Sequence, residues 1–485
     1  MKILLVASEV SPFAKTGGLA DVSSALPIAL NEQGMDVRIV MPAYRSVNPV
    51  PSEIAVPAFN VKLGNTILST TIYQSFLPNT RVPVYFIHTP ELFHRDSLYQ
   101  ENGVDYPDNA LRFAFLSKAA LQMIGRLDWQ PDIIHCNDWQ TGPLPMMLRC
   151  MPEFANSPEL KKIRTVFTIH NLGYQGIFPL DMIKELDLPE VTTRPDSMEF
   201  YNSINFLKGG LVYADKLTTV SPTYAQEIQG PDLGYGLEGV LKARAEDLTG
   251  ILNGINYREW DPETDIYLPE NYSTANLAGK AECKNRLQKE LGLEIDTNAP
   301  LFVLISRLDS QKGIDILLPL VDIIIEKKGQ LAILGTGRRN YEEAFLAVAH
   351  HYIGRMTCCF QFDNALAHRM EAGGDGFLMP SRYEPCGLNQ MYSQRYGTLP
   401  IVRRTGGLAD SVSNINIGQN TGTGFVFYEY TPGALLGAIE QAFNLYRNHP
   451  HIWRDAQVRG MTRDFSWQNS AKRYIDLYHQ MMQTP

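Results

Sequence analysis

Short continuous apolar runs recur along this chain and constrain its fold more than any other feature. In the first half they are KILLVASE, VRIVMPAY, VPVYFIHT, DIIHCND, TVFTIHN and KLTTVS, and in the second half LFVLISRL, QLAILGTG, CCFQFD, GFLMPSR, LPIVRRTGG and GFVFYE. Apolar runs without alternation are typical of parallel strands that are buried on both faces. Stretches with helical spacing separate most of them, as in DNALRFAFLSKAALQMI. The sequence therefore predicts an α/β protein with doubly wound sheets.

The length of the chain predicts two domains. At 485 residues it exceeds the roughly 250–300 residues beyond which a single hydrophobic core stops growing. The strand and helix pattern loosens in the Asn-, Gly- and Pro-rich stretch ILNGINYREWDPETD, which begins at Ile251. We predict two Rossmann-like domains, 1–250 and 251–466, that face a central cleft. The amphipathic segment 467–485 is predicted to be a helix that returns to the first domain, and the alternating stretch Ile54 to Phe76 a hairpin insertion.

Charge and cysteine content exclude several classes of protein. The formal net charge of −9 disfavours a nucleic-acid partner or an anionic membrane surface, which need a basic excess. The six cysteines form no CxxC or His-spaced pattern, so we expect neither a disulfide framework nor a metal site. No apolar run approaches the roughly 18 residues of a membrane helix. We expect a cytoplasmic protein, with a plastid as the alternative if a transit peptide had been removed.

One heptapeptide occurs almost unchanged twice. KTGGLAD runs from Lys15 to Asp21 and RTGGLAD from Arg404 to Asp410, each after an apolar run. A Gly-Gly pair at a strand-to-helix turn lets a ligand approach the backbone, and the helix start that follows favours an anion. We predict that both turns face one ligand in the cleft; the alternative is a tight turn made twice. Neither copy is GxGxxG, and GTGRRN has Asn340 where a third glycine would stand, which disfavours a nicotinamide enzyme.

Charged residues follow two strands of the second domain. SRLDSQKG supplies Arg307 and Lys312 where a diphosphate would lie, and SRYEPCGLNQ places Glu384 before a turn whose Gly387 and Leu388 amides open a helix. A carboxylate beside an anion-binding helix start would repel phosphate unless it serves another part of the ligand. The alternatives are a solvated loop with surface ion pairs and an acid that complements the helix dipole.

Polar residues end two strands of the first domain at the corresponding edge. They are Asp138 in HCNDW and His170 in TIHN, and a structural, hydrogen-bonded histidine is the alternative for the second. Cations with glycine-turn amides would hold a diphosphate, while the polar groups suit a neutral, hydroxyl-rich moiety. This combination indicates a sugar nucleotide, whose departing phosphate needs preorganised positive charge. No metal is needed if cations neutralise that charge.

A series of motifs from Lys2 to about Trp467 carries a family resemblance. KTGGLADVSSALP, HCNDWQTG, TIHNLGYQG, LTTVSPTYAQEI, YGLEGVL, ILNGI, SRLDSQKG and SRYEPCGLNQMYSQRYGTLPIVRRTGGLAD resemble the bacterial glycogen synthases and plant starch synthases. The resemblance implies a GT-B fold and transfer of glucose from ADP-glucose to the non-reducing end of an α-1,4-glucan with retention of configuration. It implies an acceptor side in the first domain, a nucleotide-sugar side in the second, no cofactor, and possible contact with storage polysaccharide granules.

The same resemblance assigns residues to the site. The catalytic set is Glu384, His170, Arg307, Lys312 and Asp138. The substrate-binding set is Lys15, Gly17, Gly18, Asp21, Phe362, Cys386, Gly387 and Leu388. In this assignment Glu384 positions the donor glucose, His170 lies beside the anomeric carbon, and Phe362 stacks on adenine. We expect Cys386 to be a small buried residue rather than a nucleophile.

Two departures and two further classes of function accompany the resemblance. Related retaining glycosyltransferases carry a second glutamate eight residues after the first, whereas this chain has Tyr392, which fits the glycogen and starch synthase branch. The second heptapeptide has Arg404 in place of Lys15, so its role is less secure. The alternatives to a synthase are a sugar-nucleotide epimerase on the same fold, since fold does not fix function, and a non-catalytic glucan-binding scaffold.

Overall fold

Two α/β units make up residues 1–47 and 53–483, the part of the chain that the computed structural model describes. The first unit comprises Met1–Val220, Ala225–Ile251 and Trp467–Pro485, and the second Ser221–Tyr224 and Leu252–Ser466. This division differs from the predicted boundary by one residue and by the short segment Ser221–Tyr224. Residues 484 and 485 of the predicted last helix lie outside the described residues.

The first unit is built on a nine-stranded sheet. Its strands are β1 (Lys2–Val6), β2 (Asp36–Pro42), β3 (Glu53–Leu63), β4 (Thr66–Phe76), β5 (Pro83–His88), β6 (Ile133–Asn137), β7 (Arg164–Ile169), β8 (Lys216–Thr219) and β9 (Leu248–Gly250). They lie in the order β9-β8-β7-β6-β1-β2-β5-β4-β3. All neighbours pair in parallel except β3 and β4, which pair antiparallel with each other, and β4 with β5. The predicted hairpin insertion is therefore confirmed, at one edge of a parallel sheet.

Helices flank this sheet, as the helical spacing between the apolar runs predicts. The α-helices of the first unit are Gly18–Glu32, Pro90–Phe93, Asn109–Ile124, Pro143–Cys150, Pro152–Ala155, Met182–Glu185, Phe206–Tyr213, Glu238–Ala243 and Trp467–Gln483, and Pro222–Glu227 spans the boundary. Three short strands, Ile177–Pro179, Glu199–Phe200 and Ser203–Asn205, form a small antiparallel sheet. A two-stranded pair joins Gln100–Glu101 to Val104–Asp105.

The helix Trp467–Gln483 packs on the first unit, which confirms that the last helix returns to it. Its buried residues include Trp467, Tyr474 and Tyr478, and the spacing of seven and then four residues places all three on one helical face. This face shares a buried cluster with Val22 and Leu26 of the helix Gly18–Glu32. The apolar face of the last helix is therefore part of the same hydrophobic core as β1.

A buried histidine links this helix to the sheet. His135 of β6 lies with one ring nitrogen 2.8 Å from the Tyr478 hydroxyl and the other 2.6 Å from the Thr168 hydroxyl. Burial lowers the pKa of His135 to about 3, with a smaller contribution from His170. The ring is therefore neutral in the folded protein at neutral and mildly acidic pH.

We expect this histidine to make the first unit sensitive to acid. In the unfolded chain His135 takes up a proton below pH about 6.5, whereas in the folded chain it does so only near its pKa of about 3. The unfolded state therefore binds more protons in this window, and the free energy of unfolding falls as the pH falls, by up to about 1.4 kcal/mol per pH unit. Urea unfolding should show that the free energy of unfolding of the wild type, measured relative to that of His135→Gln, is about 2 kcal/mol smaller at pH 5.0 than at pH 7.5.

Tyr478→Phe provides the matched control for this measurement. It removes the hydroxyl that contacts His135 but leaves the titrating ring, so its stability difference from the wild type should stay constant between the two pH values. A pH-independent difference for His135→Gln as well would contradict the buried neutral state of the histidine.

The second unit contains a six-stranded parallel sheet. Its strands are β10 (Leu301–Ile305), β11 (Gln330–Leu334), β12 (Met356–Cys359), β13 (Gly376–Met379), β14 (Leu399–Arg403) and β15 (Phe425–Phe427). They lie in the order β12-β11-β10-β13-β14-β15, which is the 3-2-1-4-5-6 order of a dinucleotide-binding Rossmann sheet. The switch point lies between β10 and β13. The predicted pair of Rossmann-like domains is confirmed.

Helices cover the second sheet and bury its faces. They are Ala278–Glu290, Ile314–Leu317, Val321–Glu326, Arg339–His351, Asn364–Gly373, Asn389–Arg395, Gly406–Ser411, Pro432–Asn448 and Pro450–Met461. One buried cluster joins Phe302, Leu331 and Ile401 to Ile439 of a covering helix. The opposite face of the sheet is covered by a second cluster that includes Val303 and Met370. The strands are apolar on both faces for this reason.

Candidate functional site

A buried carboxylate organises the first glycine turn. Glu9 follows β1 and is 3% exposed. It accepts hydrogen bonds from the Thr16 amide at 2.5 Å, the Thr16 hydroxyl at 2.6 Å, the Gly17 amide at 3.3 Å and the Tyr99 hydroxyl at 2.6 Å. The Gly17 amide therefore faces a carboxylate, and its contact with a diphosphate stays a prediction.

The rest of this turn faces open space. Among the described residues, no atom lies within 4 Å of a Cβ built on Gly17 or Gly18. The φ of Gly17 is −157°, an extended conformation that any residue adopts. Lys15 Nζ lies 2.7 Å from Asp21 Oδ1, and both side chains are partly exposed, so this ion pair contributes little to stability. The turn has room for a ligand, and its lysine is available to one.

Asp138 lies at the carboxyl end of β6 in an unusual backbone conformation. Its φ is +56°, and its Oδ1 accepts the His170 amide at 2.7 Å. Burial raises the pKa of Asp138 to about 7, against the lowering effect of the His170 and Asn171 amides. The carboxyl group is thus near its midpoint of titration at neutral pH, which suits hydrogen bonding to hydroxyl groups in either direction.

His170 follows β7 and is held as a neutral ring. Its Nε2 lies 2.9 Å from Asn137 Oδ1. The Asn137 amide nitrogen donates to the carbonyls of Val6 and His135, so its oxygen faces His170 and the proton resides on Nε2. Burial lowers the pKa of His170 to about 3. His170 therefore presents an unprotonated Nδ1 and no positive charge.

In the second unit the predicted lysine and glutamate meet. Lys312 follows β10 and Glu384 follows β13, the two strands at the switch point, and Lys312 Nζ lies 2.6 Å from Glu384 Oε2. The Ser381 hydroxyl donates to the same oxygen at 3.0 Å, and the Asp309 side chain accepts the Lys312 amide at 3.2 Å. The exposed fractions of the two side chains are 19% and 7%, so the pair is largely withdrawn from solvent screening.

Arg307 and Phe362 extend toward solvent in the same unit. The Arg307 guanidinium lies 3.3 Å from Asp309 Oδ2 and 3.4 Å from Gln311 Oε1, and it is 61% exposed. Phe362, between β12 and the helix Asn364–Gly373, is 93% exposed. The Phe362 ring is outside the hydrophobic core, so it is free to contact a ligand.

The turn Cys386–Gly387–Leu388 adjoins Glu384 and is held by a buried side chain. Burial raises the pKa of the Cys386 thiol to about 12, so it stays protonated and is not a nucleophile. Gly387 has φ +69°, and Leu388 precedes the helix Asn389–Arg395. The buried Gln390 amide donates to the Cys386 carbonyl at 3.1 Å and the Gly387 carbonyl at 3.0 Å.

The second heptapeptide supports this turn instead of facing open space. Gly406 has φ +42°, and a Cβ built there would lie 2.0 Å from the Glu384 carbonyl oxygen. The Gly407 amide donates to that oxygen at 3.1 Å, and Asp410 accepts from the Thr223 amide at 2.8 Å and hydroxyl at 2.7 Å. The prediction that both glycine turns face a ligand is therefore wrong for the second copy, because protein backbone fills the space beside it.

Comparisons with known proteins identify the family. Residues 2–243 match the model for the starch synthase catalytic domain, and residues 286–457 match that for glycosyl transferases group 1. The chain is 49% identical to a glycogen synthase of Anaeromyxobacter sp. (strain Fw109-5), with 99% of each chain covered. The chain belongs to the glycogen and starch synthase family. Glycogen synthase 2 of Geobacter sulfurreducens is 45% identical, over 100% of this chain and 99% of that protein.

Solved structures place the synthase in the same group. The catalytic domain of starch synthase IV from Arabidopsis thaliana, bound to ADP and acarbose, superposes with a TM-score of 0.86 at 32% identity, covering 99% of this chain and 98% of that one. A sucrose-phosphate synthase from Thermosynechococcus elongatus superposes with a TM-score of 0.59 at 18% identity, each chain covered in full. The second likeness shows the shared GT-B fold alone.

Tyr392, which stands where related enzymes carry a second glutamate, is a packing residue in this synthase. Its ring stacks on Trp260 with centroids 3.9 Å apart and planes 10° from parallel. On its other face Trp260 stacks on His368 at 3.8 Å. An aromatic ring in this stack offers no carboxylate at this position.

Two residues of this synthase escaped the sequence analysis although they hold predicted site residues. Glu9 and Asn137 are the polar side chains that position the first glycine turn and the His170 ring. Each stands beside a quoted motif, since Glu9 ends KILLVASE and Asn137 lies inside HCNDW. The sequence feature that could have identified them is a polar residue at the carboxyl end of a buried strand. Which of several such residues faces inward depends on contacts between strands that are far apart in sequence.

Neither a metal-binding cluster nor a membrane-spanning helix is found among the described residues. In residues 1–47 and 53–483 no group of three or more His, Cys, Asp or Glu is arranged to hold a metal ion. Across the same ranges, no helix combines the length and apolar character needed to cross a membrane.

Proposed function

We propose that this synthase transfers glucose from ADP-glucose to the non-reducing end of an α-1,4-glucan with retention of configuration, in the cytoplasm. The observation that supports it best is the Lys312–Glu384 pair at the switch point of the second sheet. Ligands of doubly wound sheets bind outside the carboxyl ends of the strands at this point. A cation and a carboxylate there match a donor that is anionic at one end and rich in hydroxyl groups at the other.

The cations of the second unit would stabilise the departing ADP. Cleavage of the glucosyl–phosphate bond places negative charge on the diphosphate, and preorganised cations at that point lower the barrier. Lys312 is already oriented by Glu384, and Arg307 projects into solvent from the same loop. The Glu384 carboxylate remains to accept hydrogen bonds from glucose hydroxyls. In this proposal these two cations replace a metal ion.

The first unit would serve the glucose and the acceptor. A neutral His170 with a free Nδ1 accepts a hydrogen bond without adding positive charge that would oppose an oxocarbenium-like sugar. Asp138, with a pKa of about 7, exchanges hydrogen bonds with hydroxyl groups of the sugar or the acceptor. Lys15, beside an open glycine turn, adds a cation for the diphosphate.

The donor assignment is tested by glucose incorporation into glycogen from labelled ADP-glucose and UDP-glucose, each with and without EDTA. We expect strong incorporation from ADP-glucose and an unchanged rate with EDTA. Equal incorporation from UDP-glucose would contradict the adenine assignment, and loss of activity with EDTA would contradict the role given to the cations. Conversion of the sugar without any glucan acceptor would support an epimerase instead, and glucan binding without ADP affinity a scaffold.

We expect Phe362→Ala to weaken ADP binding about tenfold. Stacking of a base on an aromatic ring is worth about 1–3 kcal/mol, and the lower end applies to a ring this exposed. The melting temperature should not change, because a side chain that is 93% exposed packs on nothing. Calorimetric titration with ADP measures the effect.

Ile353→Ala is the matched control, since Ile353 lies in the same unit and is 82% exposed. It should leave ADP affinity unchanged. ADP binding by Phe362→Ala at wild-type strength would remove Phe362 from the site and leave the transfer reaction itself in place.

A further inference from the structure

The turn that carries Lys312 is a single turn of 3₁₀ helix, Ser310–Lys312. It is followed by Gly313, whose φ is +76°. A Cβ built on this glycine would lie 2.0 Å from the Pro380 carbonyl oxygen, so the end of the turn is packed directly on the end of β13. The main chain beneath the lysine is therefore fixed on one side by a neighbouring strand.

Tyr430 reaches the same turn from a more distant strand. It follows β15, which β13 and β14 separate from β10 in the order of the sheet. Its hydroxyl donates to Asp315 Oδ1 at 2.5 Å and lies 3.1 Å from the Ser310 carbonyl oxygen. Asp315 belongs to the helix Ile314–Leu317, which continues from the turn. One hydroxyl group thus contacts the first residue of the turn and the helix that follows it.

Two arginines hold the ring of Tyr430 in place. The guanidinium carbon of Arg382 lies 4.5 Å from the ring centroid and that of Arg403 lies 5.7 Å from it. A cation over an aromatic face is attracted by the ring. The Arg382 amide donates to the Gln311 carbonyl at 2.8 Å, and the Arg382 carbonyl accepts from Arg403. The tyrosine therefore joins the ends of β13 and β14 to the turn that follows β10.

The state of the hydroxyl group suits this contact. Burial and the hydrogen bond to Asp315 raise the pKa of Tyr430, against a lowering effect of Arg382, so the phenol keeps its proton and donates it. A lysine ammonium is a point charge on a flexible stem, and its position depends on the main chain that carries it. A displacement of about 1 Å in a catalytic group can cost about 100-fold in rate.

We propose that Tyr430 is a positioning residue for Lys312. By holding the turn Ser310–Lys312, it keeps the ammonium group where negative charge develops on the departing diphosphate. The inference rests on the proposed function, which gives Lys312 that role. Tyr430 acts through the main chain of the turn and not by contact with the donor. A cation held in advance in this way needs no reorganisation during the reaction.

The test is a double-mutant cycle of Tyr430→Phe and Lys312→Ala in the full chain. Phenylalanine keeps the ring between the two arginines and removes only the hydroxyl. We expect Tyr430→Phe to lower kcat about tenfold, because the cation shifts by less than about 1 Å, with an unchanged KM for glycogen. In the Lys312→Ala background the same substitution should change kcat by less than about twofold, because no cation remains to be misplaced.

Tyr446→Phe is the matched control in the same unit. The Tyr446 hydroxyl donates to the Thr297 carbonyl at 2.8 Å and accepts from Lys284 Nζ at 3.0 Å. Thr297 precedes β10, whereas the turn with Lys312 follows it, so this contact lies at the other end of that strand. Both tyrosine variants should lower the melting temperature by about 2–4 °C, the scale of one lost hydrogen bond. Tyr446→Phe should leave kcat unchanged.

The outcomes separate this inference from the proposed function. An equal loss of kcat from Tyr430→Phe in both backgrounds would overturn the inference, because the hydroxyl would then act independently of Lys312. Wild-type kcat for Tyr430→Phe would overturn it as well. Calorimetric titration with ADP repeats the cycle without any transfer. If the wild type transferred no glucose from ADP-glucose, the proposed function would fail, yet a loss of ADP affinity that requires Lys312 would still establish the positioning role. Absence of ADP binding by the wild type would overturn both.

Discussion

Glu384→Gln should lower kcat at least about 100-fold, the scale of losing one group that stabilises a transition state. The substitution keeps the size of the side chain and removes the charge that lies 2.6 Å from Lys312 Nζ. Glutamine would still contact the Ser381 hydroxyl, so the turn that follows stays in place. Lys312 would no longer be held by a carboxylate. It would therefore bind the diphosphate of the bound substrate as strongly as that of the transition state. We therefore expect a fall in kcat with little increase in the KM for ADP-glucose.

Glu371→Gln is the matched control for this variant. Glu371 is a second carboxyl group buried in the same unit, 1% exposed, and burial raises its pKa well above the usual range. Burial thus favours the neutral form of Glu371, which glutamine resembles in size and shape. Steady-state rates and the melting temperature should match the wild type. Activity of Glu384→Gln within tenfold of the wild type would exclude Glu384 from the chemistry.

Gly406→Ala and Gly17→Ala should behave in opposite ways although both occur in TGGLAD. At Gly406 the new methyl group would lie 2.0 Å from the Glu384 carbonyl oxygen, in a backbone with φ +42°. Left-handed backbone costs an alanine about 1–2 kcal/mol, and overpacking adds about 1–3 kcal/mol. We expect a lower melting temperature and at least a tenfold loss of kcat, because Glu384 must move.

At Gly17 the same change meets nothing among the described residues. Exposed substitutions of this kind alter stability by less than about 0.5 kcal/mol, so the melting temperature should stay constant. The methyl group would instead occupy space that the proposal gives to the diphosphate, and the KM for ADP-glucose should rise about tenfold. Thermal melts and steady-state kinetics on both variants decide the matter. Equal melting temperatures for the two would contradict the packing at Gly406, and an unchanged KM for Gly17→Ala would remove the first turn from donor binding.

The two copies of TGGLAD also illustrate what sequence reasoning reached and what it missed. Strand-to-helix turns and glycine pairs were readable from local pattern, as were the parallel strands, the edge hairpin and the helix that returns to the first unit. The surroundings of each turn were not readable, because the Glu384 carbonyl that fills the space beside Gly406 comes from a different strand of the sheet. Local sequence fixes the shape of a turn, and tertiary packing decides what faces it.

The same distinction applies to the titrating groups. The motif TIHN placed His170 at the edge of the sheet, but its neutral state depends on burial and on the Asn137 amide from a neighbouring strand. The proximity of Lys312 and Glu384 was likewise implicit, since both follow strands that turned out to be neighbours. A pattern of residues predicts which groups share an edge. Their protonation depends on how deeply the surrounding protein buries them, and no single motif encodes that burial.

The return of the helix Trp467–Gln483 to the first unit has a consequence for synthesis on the ribosome. The strands of the first sheet are complete when β9 has been made, yet the buried cluster around the helix Gly18–Glu32 lacks the side chains of the last helix until residue 467 and its successors emerge. At about 5–20 residues per second the intervening segment takes roughly 10–40 s to translate. Throughout that interval the side of the cluster that the last helix covers is exposed to solvent, and a nascent-chain chaperone would need to shield this apolar surface.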